Sequence, residues 1–141
     1  MIIESLRNIH KKYRLLEGDV SSYTKSAQRI TIEWQVAVCT DSIEAEVMFS
    51  PENKERIDIV NHSTNTAYEL KVSGKNTHHE FYKDLIKVLT YNEYQEKGKK
   101  LSKLVFISEY SGIRSLSGRL DSKLIKMLSS IHNVSIELVS I

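Results

Sequence analysis

Apolar and polar residues recur with two different periods along the chain, and the changes of period predict its elements. Leu6, Ile9, Tyr13 and Leu16 fall on one helical stripe, so residues 3–16 read as a helix that Gly18 stops. Residues 43–50, IEAEVMFS, alternate with period two and read as a strand, followed by the turn PENKE. Residues 56–61 and 67–73 read as two more strands, joined by the polar turn HSTNT as an antiparallel hairpin. Residues 77–97 form a helix: Thr77 and Glu80 fit a capping box, Phe81, Leu85, Val88 and Leu89 make its inward stripe, and Gly98 ends it. Residues 103–110 read as a strand and 111–117 as a loop. Residues 119–131 read as a helix with Leu120, Leu124, Met127, Leu128 and Ile131 inward, and 134–141 as a last strand.

Residues 22–39 satisfy both periods. Ala27, Ile30, Trp34 and Ala37/Val38 suit a helix, whereas Ile30, Ile32, Trp34, Val36 and Val38 alternate as in a strand. With a helix there, the order is two helices, three strands, then helix, strand, helix, strand. That order implies an α/β fold with a mixed sheet.

Composition narrows the class. The 141 residues are one domain's worth, with 40% hydrophobic and 27% charged residues, as in ordinary globular chains. No apolar run approaches the roughly 20 residues of a membrane span. The start, MIIESLRNIHKKYR, is too charged for a signal-peptide core. A single cysteine, Cys39, cannot form an internal disulfide and reads as buried packing, which fits a reducing, cytoplasmic setting. There is no glycine-rich nucleotide motif, so a nucleotide cofactor is not expected, and no Cys/His cluster for zinc. The net charge is +2, unevenly spread: Glu33 to Asp58 holds seven acids and two bases, and Lys71 to Lys103 eight bases and four acids. An acidic block beside a basic block suits a metal site next to a phosphate-binding surface, or two solvated faces.

The hairpin carries the candidate chemistry. Side chains alternate faces along a strand, so Ile57 and Ile59 should point one way and Asp58 the other. On the next strand, Tyr68, Leu70 and Val72 oppose Glu69 and Lys71. Paired as a hairpin, the apolar residues share a core face, and Asp58, Glu69 and Lys71 share the opposite one. Two close carboxylates repel unless a cation lies between them. Mg²⁺ fits, since it takes one or two carboxylates, waters and a substrate phosphate, and the Leu70 carbonyl offers a further oxygen. A lysine two residues on would position water or offset charge on a phosphate.

Asp58, ten intervening residues, then Glu69-Leu70-Lys71 resembles the D…(D/E)xK signature of the PD-(D/E)XK, or restriction-endonuclease-like, nucleases. The resemblance spans residues 22–110. It implies an αβββαβ core, with residues 1–18 as an added N-terminal helix and 111–141 as a C-terminal helix and strand. It also makes 22–39 a helix, with Glu33 as an additional metal-binding acid. Ile57 stands where the family's proline is usually written, and Lys87-Val-Leu-Thr-Tyr91 keeps the spacing of a Gln-x-x-x-Tyr pattern without its glutamine. Lys75, Lys87, Tyr91 and His78 are the candidate substrate contacts.

The implied activity is Mg²⁺-dependent hydrolysis of DNA phosphodiesters, with Mn²⁺ as a substitute, by a homodimer with a restriction or genome-defence role. The alternatives are a Holliday-junction-type resolvase and a non-catalytic nucleic-acid-binding subunit that keeps the fold. His79, beside His78, reads as part of a solvated helix start from which one of the two could contact phosphate; His10, His62 and His132 have no partners legible in sequence, and Arg114 offers a phosphate contact from its loop.

Overall fold

The computed structural model describes residues 1–18 and 24–141. Helices α1 (Ile2–Glu17) and α2 (Thr24–Val38) precede three strands, β1 (Ile43–Met48), β2 (Arg56–Asn61) and β3 (Thr66–Lys71). Helix α3 (Thr77–Glu93), strand β4 (Lys103–Ser108), helices α4 (Tyr110–Ser117) and α5 (Ser122–Ile131), and strand β5 (Ser135–Ser140) complete the chain. The strands form one mixed sheet in the order β1-β2-β3-β4-β5. Pairs β1/β2 and β2/β3 are antiparallel, and β3/β4 and β4/β5 are parallel. No described helix is long and apolar enough to cross a membrane.

Both faces of this sheet are covered, which explains why β4 is buried almost throughout. On one face Leu6 and Ile9 of α1 and Ile30, Trp34 and Val38 of α2 pack on Ile59, Val72, Val105 and Ile107. On the other, Phe81, Leu85 and Val88 of α3, Leu116 of α4 and Leu128 of α5 pack on Val60, Ala67, Leu104 and Phe106. The α2 segment is a helix because only one of its two patterns finds a partner. Ile30 and Trp34 are fully buried, while Ile32 and Val36 are 60% and 76% exposed. The Trp34 indole also donates to the Ile2 carbonyl at 3.0 Å, tying α2 to α1. Positions 22 and 23 of the expected helix lie outside the described residues.

Several local expectations are corrected. Residues 111–117 belong to helix α4, whose Gly112 and Leu116 are buried. The expected 119–131 helix begins later, at Ser122, because Asp121 caps it by accepting from the Lys123 and Leu124 N–H groups. Leu16, Met127 and Ile131 are exposed, so the inward stripes of α1 and α5 are narrower than their sequences suggest. Helix α3 ends at Glu93 rather than near Gly98. Its expected capping box does not form. Asn76, in the left-handed region, precedes the helix, and the buried Thr77 hydroxyl donates across to the Gly112 carbonyl at 3.1 Å. Cys39 is exposed at the end of α2, not packed in a core.

The same Thr77 contact belongs to a tight crossing that pins the loop after β3. A Cβ on Gly112 would lie 2.6 Å from Thr77 Cγ2 and 2.8 Å from Gly74 Cα. The Ser108 hydroxyl also holds the Ser73 carbonyl, at 3.1 Å. Gly112→Ala is therefore expected to cost about 1–3 kcal/mol of stability in urea unfolding. An unchanged unfolding midpoint would contradict this crossing.

Candidate functional site

Asp58 sits in the middle of β2, where the β2–β3 ladder stops. Pairing runs from Asn61↔Thr66 to Ile59↔Tyr68. One step further, the register sets Asp58 opposite Glu69, but a side chain replaces the next main-chain pairing there. The Asp58 Oδ2 accepts the Leu70 N–H at 2.8 Å. On the other side, the β1–β2 register sets Asp58 opposite Glu46, and again no pair forms, because Glu46 has φ 53° between neighbours that remain paired. Left-handed backbone within a strand is costly for a side-chain-bearing residue.

The apolar side chains change faces at this level. Ile59 packs with α1 and α2, whereas Ile57 and Val47 join the α3 side. This corrects the expectation that Ile57 and Ile59 share a face, since strict alternation does not survive the irregularity at Glu46 and Asp58. Tyr68, Leu70 and Val72 do share the α1/α2 face as expected.

Glu69 is 2% exposed and meets α3. The Lys87 ammonium lies 3.4 Å from Glu69 Oε1 and 3.1 Å from Asp84 Oδ1, and donates to the Arg56 carbonyl at 2.9 Å. Asp84 and Lys87 are three residues apart on α3 and so share one helical face. Burial pushes the Glu69 carboxyl well above the usual range, and the neighbouring Asp58 and Asp84 charges push it further. Burial also raises Asp58, opposed by the Leu70 N–H and by Lys87, and it raises Asp84 to about 6. Burial pulls Lys87 down, but Glu69 and Asp84 outweigh it and hold the ammonium above its ordinary value. Asp58 and Glu69 thus influence each other's protonation, the Asp58 charge raising the proton affinity of Glu69.

Of the expected site residues, the structure brings Asp58, Glu69 and the Leu70 backbone together. Lys71 ends β3, is half-buried and has no ion pair among the described residues. Glu33 is not part of the group. It pairs with Lys12 and accepts the Tyr13 hydroxyl at 3.0 Å, so it joins α2 to α1. Two residues later on α2 and round the helix, Gln35 takes the position at the sheet: its Nε2 donates to the Asp58 carbonyl at 3.0 Å and to Glu46 Oε1 at 2.9 Å. Lys87 and Tyr91, expected as substrate contacts, are both buried. His78 packs its ring against Tyr82 at 4.9 Å, and Lys75 is exposed in the loop before α3.

Sequence reasoning assigned no role to Asp84, Gln35 or Glu46. Asp84 carried a signal, its spacing from Lys87. Gln35 and Glu46 carried none, because their roles arise from long-range packing. Among the described residues, no three His, Cys, Asp or Glu side chains converge closely enough to enclose a metal ion by themselves.

The three carboxyls bind protons more readily in the folded chain than in the unfolded one. The stability they contribute is present below the ordinary carboxylate range and is lost as pH rises through their folded values, about 6 for Asp84. Urea unfolding of the wild type, compared with Glu69→Gln, should show an extra loss of about 1–3 kcal/mol between roughly pH 4 and pH 7. The same slope in both proteins would contradict a buried, ionisable Glu69.

Compared with family models, curated proteins and solved structures, the chain matches none.

Proposed function

We propose that the protein is a Mg²⁺-dependent endonuclease acting on DNA, built on a restriction-endonuclease-like core and working as a homodimer in restriction or another form of genome defence. The observation that carries this reading is the Asp58–Glu69 pair: two carboxyls on adjacent strands, close and shielded, with raised proton affinity. Groups placed so are poised to exchange a proton for a cation, and a hard cation that takes two carboxylates, water and phosphate suits this donor set. Lys71, two residues beyond Glu69 at the end of β3, supports the same reading.

When bound, Mg²⁺ would polarise a phosphate oxygen and acidify a water molecule. Asp58 and Glu69 would hold it, and the Leu70 N–H fixes the Asp58 carboxyl through its Oδ2. Lys71 would orient that water and offset negative charge on the phosphoryl oxygens. Lys87 and Asp84 keep Glu69 in place from below. Glu33, bound to Lys12 and Tyr13, takes no part.

A second reading, a non-catalytic nucleic-acid-binding subunit, is favoured by one feature: the Lys87 ammonium already supplies positive charge beside Glu69. Calorimetric titration with Mg²⁺ and Mn²⁺ separates the two, since a protein that binds neither ion fits the second reading. For the first, Asp58→Ala and Lys71→Ala are each expected to lower Mg²⁺-dependent cleavage of duplex DNA by at least about 100-fold. Cleavage at the wild-type rate by either variant would sink it.

A further inference from the structure

A cavity of about 420 Å³ opens between α2 and the end of β3. That is within the range of small-molecule sites, about 300–1,000 Å³. Its walls include Ile32, Leu70 and Val72, with Thr31 among them, and Glu46 and Lys71 are its charged residues. Ile32 is 60% exposed, an apolar side chain left open beside a charged pair.

Glu46 is not a loosely solvated surface acid. The buried Gln35 holds its Oε1 at 2.9 Å while bracing the Asp58 carbonyl at 3.0 Å. The left-handed backbone at Glu46 (φ 53°) sets the direction in which this side chain leaves the strand. Its Oε2 has no partner among the described residues. The cavity thus has an apolar wall and two charged residues, Lys71 and the Glu46 that Gln35 holds in place.

A carboxylate only accepts hydrogen bonds. On the nuclease reading the ligand is a nucleobase, and Glu46 favours one that presents adjacent donors. Among nucleobases, guanine does so through N1–H and N2–H. Adenine and cytosine place a ring acceptor beside their amino group, and thymine and uracil flank N3–H with carbonyls, so each would set a lone pair against Glu46. An ammonium next to the same cavity matches the phosphate of the same nucleotide.

We propose that this cavity receives one unpaired guanine nucleotide of the substrate, with Glu46 accepting from its Watson–Crick edge and Lys71 meeting its phosphate. The proposal rests on the nuclease reading and deepens it. The guanine leaves the base stack and packs against Ile32, Leu70 and Val72. Gln35 acts as a positioning residue for Glu46.

The test is binding of guanosine, adenosine, cytidine and uridine monophosphates without any divalent metal, followed by ligand-observed NMR and calorimetry. The wild type is expected to bind the guanosine nucleotide at least about tenfold tighter than the other three. Glu46→Gln, checked by circular dichroism to be folded, should remove that preference. Lys71→Met should weaken all four nucleotides and leave the guanine preference intact. Equal affinities in the wild type, undetectable binding, or an unchanged preference in Glu46→Gln would overturn the assignment. DNA cleavage in Mg²⁺ is scored separately. Cleavage without guanine preference removes the pocket and leaves the nuclease, whereas guanine preference without cleavage supports the pocket and removes the nuclease.

Discussion

The buried Lys87 ammonium is what allows the centre of the molecule to be built from acids. It touches Glu69 at 3.4 Å, Asp84 at 3.1 Å and the Arg56 carbonyl at 2.9 Å. Without it, Asp58, Glu69 and Asp84 would have no cation to offset their mutual repulsion, and burial would favour their neutral forms. With it, the group is only partly compensated, which is why the carboxyls keep raised proton affinities. Removing one partner of such a buried group typically costs about 3–5 kcal/mol, more than any surface pair on this chain can supply. Helix α3 is thus both a wall of the core and the support of the carboxylates.

The covered sheet gives that arrangement its position. Because helices lie on both faces, a polar group in β2 or β3 must find a partner inside the protein. Asp58 finds the Leu70 N–H, its carbonyl finds Gln35, and Glu69 finds Lys87. The cost falls on the β1–β2–β3 ladder, which loses its regular pairing at Glu46 and Asp58. The same interruption separates Ile57 from Ile59 into different clusters.

Much of this was legible from residue order, for physical reasons. The α/β class and the five strands follow from alternating or continuous apolar runs of strand length, and a short connection makes β2 and β3 a hairpin. That hairpin alone places Asp58 beside Glu69. The helical state of α2 was not decidable from periodicity, and its burial pattern shows which stripe found a partner. Thr77 looked like a helix cap because local rules favour it, but a contact with Gly112, 35 residues away, took its hydroxyl. Glu33 was the acid suggested by family likeness, yet α1 captured it, and Gln35 faced the sheet instead. Glu46 was hidden because a left-handed residue inside a regular alternation leaves no trace in hydrophobicity.

The account depends on Asp58 and Glu69 acting as one shielded, interacting pair that can trade a proton for a cation. Carboxyl carbon NMR of these two residues, followed through pH with and without Mg²⁺, tests this directly. Without metal, one of the pair should stay protonated well above the ordinary carboxylate range of about 4, and Mg²⁺ should drive that proton off and shift both resonances. Two independent titrations near the ordinary value, unmoved by Mg²⁺, would contradict it.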